Sequence, residues 1–304
     1  MDKVVVLMST YNGEKYLREQ MDSLLRQEGV AVEIFVRDDG STDSTVSIIE
    51  DYANKNSNVH LNIGKNLGVG NSFMNLVEHA PDDFDYYAFS DQDDIWLENK
   101  LSKAIEVIKD IDGPTLYCSN QTLVDSEGEK IALRYNKVLD LSTEQILFVN
   151  RVQGCTALWN SDLQKILSTQ LPSRELLICR IHDVWVGMVA SVCGKIIYDE
   201  NSYILYRQHE NNVVGAKESS RLDLLQSKVK KLRNKTFRNS RSLMAKEMVR
   251  LFPIDASKHS MLTIAADSKS LAGKKRIIQN YKSFTTYSGE KKADFILKVL
   301  LNFF

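Results

Sequence analysis

Three carboxylates fall within four residues at the end of an apolar run. Tyr86–Trp96 reads YYAFSDQDDIW, and Asp91, Asp93 and Asp94 follow the strand-like stretch Tyr86–Ser90 directly. Hard oxygen ligands carried on a rigid strand end suit Mg²⁺ or Mn²⁺ shared with substrate phosphates. The plain reading of such a cluster is a solvated acidic loop, so the weight of the assignment rests on what stands upstream.

The elements that must position these carboxylates are short apolar runs alternating with amphipathic helical windows, the pattern of βαβ units and a mostly parallel sheet. Val4–Met8, Val32–Val36, Val59–Ile63 and Tyr86–Ser90 read as four strands. Leu17, Met21, Leu24 and Leu25 make one helical face after the first strand. Val46, Ile49 and Tyr52 recur at helical spacing behind the capping types Ser41, Asp43 and Ser44, and Phe73–Val77 lies in a third helix.

In an open α/β sheet, ligands collect outside the carboxyl ends of the strands. The residues just after each strand form a coherent set: Thr10, Tyr11 and Asn12; Asp38, Asp39, Gly40 and Ser41; Asn66, Leu67, Gly68 and Gly70; Asp91, Asp93 and Asp94. Hydroxyls, an aromatic face, carboxylates and exposed glycine backbone suit a nucleoside diphosphate. Asp39 would accept the imide N–H of uracil or thymine, Tyr11 would stack on the base, and a divalent ion would neutralise the diphosphate.

Composition narrows the classes further. The chain has 304 residues, 43% of them hydrophobic, and a formal charge of −1, which is enough for a full core and gives no reason to expect nucleic-acid binding. Cys118, Cys155, Cys179 and Cys193 form no C-x-x-C pair, and MDKVVVLMSTYNGE has neither the n-region nor the h-region of a signal peptide. A cytosolic setting and four buried thiols are therefore expected. A dinucleotide-dependent oxidoreductase would want G-x-G-x-x-G after the first strand, where this chain has STYNGEK. A sugar-nucleotide pyrophosphorylase would want a glycine-rich basic loop there.

Taken in order, STYNGEKYL, RDDGSTDST, NLGVGNSF and FSDQDDIW resemble the family-2 inverting glycosyltransferases of the GT-A fold, a Rossmann-like α/β architecture, over residues 3–215. GCTALWN, HDVW and YRQHENNVVG are similar to the bacterial rhamnosyltransferase-type branch. The resemblance implies a donor such as dTDP-β-L-rhamnose, a saccharide or lipid-linked saccharide acceptor, and Mn²⁺ or Mg²⁺ as cofactor; a UDP-hexose or UDP-N-acetylhexosamine would be served by the same motifs. By position it implies that Thr10, Tyr11, Asn12, Asp39, Asn66, Gly68 and Asp91 bind the nucleotide sugar, with Arg207 pairing either with the diphosphate or in a surface salt bridge. Asp93 becomes the direct metal ligand, assisted by Asp91 and by the imidazole of His209. Asp183 matches the position of the base that takes the proton of the acceptor hydroxyl, with the N-cap of the helical window Val184–Val192 as its competing role and the two roles compatible. Trp96, His182 and Trp185 are candidates for the acceptor side, with core packing as the competing role for both tryptophans. His60, His79 and His259 show no partner pattern, and His79 suits a helix C-terminus. A non-catalytic sugar-nucleotide or lipid-binding module is the alternative from a different class.

The expected division is a catalytic domain over 1–215, nucleotide-binding to about 120 and acceptor-binding from 121, followed by a helical appendage over 216–304. There Leu222, Leu225, Val229 and Leu232 alternate with Lys228, Lys230, Lys231, Arg233 and Lys235, and KKADFILKVLLNFF closes the chain. Its apolar run falls short of the roughly 20 residues that span a bilayer. A peripheral grip on anionic lipid, a homodimer interface, or a cover over the catalytic domain would each use such helices.

Overall fold

The computed structural model describes residues 1–209, 239–255 and 258–304. The predicted stripe at Leu222, Leu225, Val229 and Leu232 lies outside the described residues. The remainder is a single α/β sheet flanked by helices. Strands β1 (Asp2–Thr10), β2 (Val30–Asp38), β3 (Val59–Ile63) and β4 (Tyr86–Ser90) lie in the order 3-2-1-4, all parallel. β3 and β4 have the expected bounds, whereas β1 and β2 each run two residues further at both ends. Val4–Met8 is fully buried, because helices cover both faces of a parallel sheet and leave no solvent side to alternate toward.

The second half of the sheet is mixed. Beyond β4 come β8 (Leu158–Asn160), β6 (Thr115–Val124), β9 (Lys195–Arg207) and the two-residue β5 (Ile95–Trp96), with β7 (Lys130–Leu133) paired to β6. Each antiparallel pairing joins only two or three residues, so by length of pairing the sheet is mostly parallel.

Helices α1 (Leu17–Leu25), α2 (Thr45–Lys55), α3 (Val69–His79) and α4 (Lys100–Ile108) follow their strands. Leu17, Met21 and Leu24 bury the face that their spacing predicts. Ser44 occupies the N-cap of α2, yet Asp43 accepts the Thr45 N–H at 3.0 Å, so the capping bond comes from the neighbouring carboxylate. His79 ends α3 as expected, and His60 has a partner that its sequence did not announce, Glu33 at 2.7 Å. Cys118 and Cys155 are buried, but Cys179 and Cys193 are half-buried and sit at helix ends.

α5 (Thr143–Phe148), α6 (Ser161–Thr169), α7 (Arg174–Cys179) and α8 (His182–Cys193) complete the half that follows residue 120, and α9 (Ser240–Leu251), α10 (Ser260–Ala266), α11 (Leu271–Gln279), α12 (Tyr281–Ser288) and α13 (Lys292–Leu300) pack against it. Met244, Met248, Phe284, Phe295 and Phe304 share one buried cluster with Phe148 and Trp185. Phe284 makes edge-on contacts with Phe148 and Phe304 at centroid distances of 5.7 and 5.4 Å. Such aromatic clusters bury large areas and favour edge-to-face geometry. Among the described residues no helix is long and apolar enough to cross a membrane.

Phe284→Ala is expected to lower stability by about 3–5 kcal/mol, measured by urea unfolding. Its transition should remain single, because the helices on either side of Phe148 share one core; a separate early transition of the C-terminal helices would contradict this.

Candidate active site

The residues expected to hold a nucleoside lie where β1, β2 and the loop before α3 converge. Asp39, 3% exposed, accepts Leu67 N–H at 2.7 Å and Gly68 N–H at 2.9 Å, so a single carboxylate fixes the loop carrying Asn66 and Gly68. Gly68 adopts φ 81°, a conformation that glycine takes without strain, and Asn66 Oδ1 also accepts its N–H at 3.1 Å. Thr10 points inward and donates to Asp38 at 3.0 Å, so its hydroxyl ties two strand ends together. Asn12, with φ 48°, accepts Thr42 N–H at 2.9 Å. Gln92, the middle residue of the Asp-x-Asp stretch, accepts Tyr11 N–H at 2.9 Å and donates to Tyr11 carbonyl at 3.1 Å. Tyr11 is thereby held at the rim with 49% of its surface exposed, a free ring at the mouth of the cradle.

Arg37 is the residue here that sequence reading passed over. Its guanidinium is buried and donates to Asp39 Oδ1 at 2.5 Å, to Ser72 Oγ at 2.9 Å and to Lys65 carbonyl at 3.0 Å. Strand alternation supplied the clue, since residues two apart in RDD share a face.

The carboxylate end gathers around β4 and the end of β9. Asp91 remains partly open, while Asp94 and Cys155 are buried, and their ligand atoms lie within 4.8 Å of one another. Burial, then the charges of Asp93 and Asp183, push Asp91 up to about 7. Asp94 is raised well above the carboxylate range by burial and by Asp93 and Asp91; its Oδ1 accepts Arg207 N–H at 3.2 Å, and its Oδ2 has no hydrogen-bond partner among the described residues. Gln121 Nε2 donates to the Cys155 sulfur at 2.9 Å. Lys100 is buried with its ammonium 3.4 Å from the centroid of the Trp96 ring; burial lowers it to about 7, opposed by Cys155 and Asp94.

Asp93 and His209, placed together on a metal by the sequence reading, do meet: Nε2 lies 2.8 Å from Asp93 Oδ2. Arg207 takes the salt-bridge alternative. Its guanidinium pairs with Glu19, donates to Ser126 carbonyl at 2.8 Å and to Asp93 carbonyl at 3.2 Å, and lies 4.6 Å over the Tyr16 ring. It therefore clamps the carboxylate loop to α1. The converging set is Asp91, Asp94 and Cys155, and the Asp93–His209 pair is not part of it; the carboxylates suit Mn²⁺ or Mg²⁺ and the thiol does not, while the buried Asp94 Oδ2, unpartnered among the described residues, is consistent with a site that takes a cation.

Asp183 is buried in the first turn of α8, which Ile181 caps, so Asp183 is not the N-cap residue itself. Its Oδ1 accepts Val184 N–H at 2.7 Å and its Oδ2 accepts Asn150 Nδ2–H at 2.8 Å. Burial raises it to about 6 against these bonds. Asn150 carries no sequence signal, and only folding brings it to Asp183. His182 stacks on Phe73 at 3.9 Å and is lowered to about 3 by burial, so its ring is neutral and closed off. Trp96 and Trp185 are 2% and 0% exposed, and both belong to the core rather than to an acceptor surface. Their large apolar rings gain more from burial between sheet and helices than from a place at the rim.

Comparison with known proteins agrees with this architecture. The profile described as "Glycosyl transferase family 2" matches residues 5–167. A Shigella flexneri protein named dTDP-rhamnosyl transferase RfbG is 32% identical over 244 residues, spanning 76% of this chain and 81% of that protein. A Rickettsia typhi protein named as an uncharacterized glycosyltransferase is 27% identical over 68% of this chain and 64% of its own length. Among solved structures, S. aureus TarS 1–349 in complex with UDP-GlcNAc superposes with a TM-score of 0.58 at 20% identity, over 98% of this chain and 81% of that one, which supports the GT-A fold. The four strand-end motifs, the profile match and the Shigella relative converge: the chain belongs to glycosyl transferase family 2.

Proposed function

We propose that the protein is a metal-dependent inverting glycosyltransferase that moves L-rhamnose from dTDP-β-L-rhamnose to a hydroxyl of a saccharide or lipid-linked saccharide in bacterial surface polysaccharide assembly. The observation that carries the transfer reading is Asp183, held by Asn150 and Val184 N–H and close enough to Asp91 for their charges to interact. The Shigella relative's name supports rhamnose as the sugar.

The chemistry follows from the residues. An acceptor hydroxyl is too weakly acidic to attack the anomeric carbon unaided. Asp183 takes its proton as the acceptor oxygen–carbon bond forms and the carbon–phosphate oxygen bond breaks, and the nucleoside diphosphate leaves from the opposite face. One displacement inverts the anomeric centre. Asn150 and the α8 backbone aim the carboxylate, and Tyr11 and Asp39 hold the base of the donor. Asp93, Asp91 and His209 would hold Mn²⁺ or Mg²⁺, which when bound stabilises charge on the departing diphosphate.

Titration of the purified protein with dTDP-rhamnose and a panel of UDP-sugars, with and without Mn²⁺, tests the donor. Metal-dependent preference for dTDP-rhamnose is expected; preference for a UDP-sugar would discard rhamnose and keep the mechanism, and no binding would overturn both. Asp183→Asn should bind donor normally yet transfer at least about 100-fold more slowly. In the native enzyme kcat/KM should rise with pH through about 6, where Asp183 loses its proton. Normal transfer by the Asn variant would remove Asp183 from the role.

Arg37→Met leaves Asp39 buried without its cation, and losses of about 3–5 kcal/mol attend such broken pairs. A comparable loss of stability in urea is expected, with weakened donor binding. The Arg37→Met/Asp39→Asn double variant should regain stability but not binding, whereas additive losses would mean that the two residues are not coupled.

Asp91 and Asp183 titrate near 7 and 6 in the fold, and near 4 once unfolded. Because the folded pKa values are raised, the stability they lend is full below about pH 4 and is lost as pH rises through 6 to 7. Lys100 runs the other way with a window above about 7, and buried, neutral His182 opposes the carboxylates between about 3 and 6.5, so the two carboxylates act against one imidazole. The metal-free protein should thus melt several degrees higher at pH 5 than at pH 7, and Mn²⁺ should raise Tm at pH 7 much more than at pH 5. A Tm indifferent to Mn²⁺ at pH 7 would argue against cation binding there.

A further inference from the structure

The C-terminal helices bury Ile277, Phe284, Phe295 and Val299 against the catalytic core, yet leave a second apolar set uncovered. Leu271 is 88% exposed on α11, and Leu297, Leu300 and Leu301 are 55%, 53% and 52% exposed at the end of α13. Their spacing, i, i+3 and i+4, makes Leu297, Leu300 and Leu301 one stripe. Lys274, one turn beyond Leu271, donates to the Leu300 carbonyl at 3.1 Å and so ties the end of α13 to the helix that carries Leu271. An exposed leucine alone needs no explanation, but four gathered at one helix–helix junction do.

Charge identifies what covers them. Residues 268–304 contain eight lysines and arginines against two acidic residues, and Lys269 and Lys275 are exposed on either side of Leu271. A second copy docking this face on itself would set like charges against like. A bilayer surface bearing anionic headgroups offers both hydrocarbon for the leucines and opposite charge for the lysines, and long lysine stems reach headgroups while the apolar face sinks. We propose that the α11–α13 leucine face seats the protein on anionic membrane, with the helices in the plane of the interface. The inference does not depend on the donor sugar, and failure of the rhamnose reading would leave it intact.

Co-sedimentation of the full chain with vesicles of phosphatidylcholine, and of phosphatidylcholine with phosphatidylglycerol, tests it. Binding to the anionic vesicles is expected at least about tenfold tighter than to neutral ones, and weaker in high salt. Leu297→Glu/Leu300→Glu should lose most of that binding with its circular dichroism and donor binding unchanged, because both side chains are exposed. Lys269→Glu/Lys275→Glu should reduce binding to anionic vesicles alone. Equal binding by the leucine variant, or no preference for anionic vesicles, would overturn the proposal. So would a wild-type dimer that binds no vesicle and that the leucine variant dissociates, since the face would then join two copies.

Discussion

Everything at this site depends on crowding negative charge at the end of one buried strand. Asp91, Asp93 and Asp94 repel one another, and burial at the β4 end removes the water that would screen them. The fold answers with contacts from distant chain segments. Arg207 donates its backbone N–H to Asp94 and ties the loop to Glu19, and Lys100 rests on Trp96 within electrostatic reach of Asp94. Breaking one partner of such a buried set leaves an uncompensated charge, so these supports are as necessary to the site as the carboxylates they hold. Trp96 accordingly serves as the floor under Lys100, which explains why it lies in the core.

The same logic organises the nucleoside end. Asp38 and Asp39 stand next to each other at the end of β2, and each is neutralised by short-range donors. Asp38 collects Thr10, Gly40 and Ser41, and Asp39 collects Arg37 and the loop amides of Leu67 and Gly68. A carboxylate with two oxygens has about four lone-pair positions. Asp39 therefore still has acceptor capacity for a nucleobase imide while it holds the loop.

What the sequence made legible was whatever depends on local pattern. The parallel half-sheet could be read because its strands are continuous apolar runs punctuated by polar strand ends, and the convergence of Asp39, Asn66 and Gly68 follows from sheet topology alone. Pairings across long separations were not legible. Glu19 and Arg207 are 188 residues apart, and Asn150 and Asp183 are 33 apart with an intervening strand and two helices. A side chain's type states what it can bond, never which partner the fold brings, and so Arg207 read as a diphosphate ligand or a salt-bridge partner until the fold paired it with Glu19. The tryptophans and His182 stayed open between two roles for a different reason. Rings suited to stacking on a sugar are equally suited to a core, and periodicity in an all-apolar window such as Val184–Val192 does not mark a solvent face.

The C-terminal helices are more than an appendage because of where their aromatic cluster ends. Phe148, packed on Phe284 and Phe304, lies two residues before Asn150, whose amide holds Asp183. Arg241 spreads over Phe148 at 4.7 Å and pairs with Glu290, which Lys298 also grips at 2.8 Å. The chain from α13 to the candidate base thus runs through close-packed rings and paired charges, which transmit displacement because interiors at that density have little room to absorb it. A shift of α13 relative to α5 must move Asn150 or open a gap beside Phe148. Folding these helices onto the half that carries α8 thereby fixes the orientation of Asp183, and the helices that complete the core also determine the geometry of the candidate base.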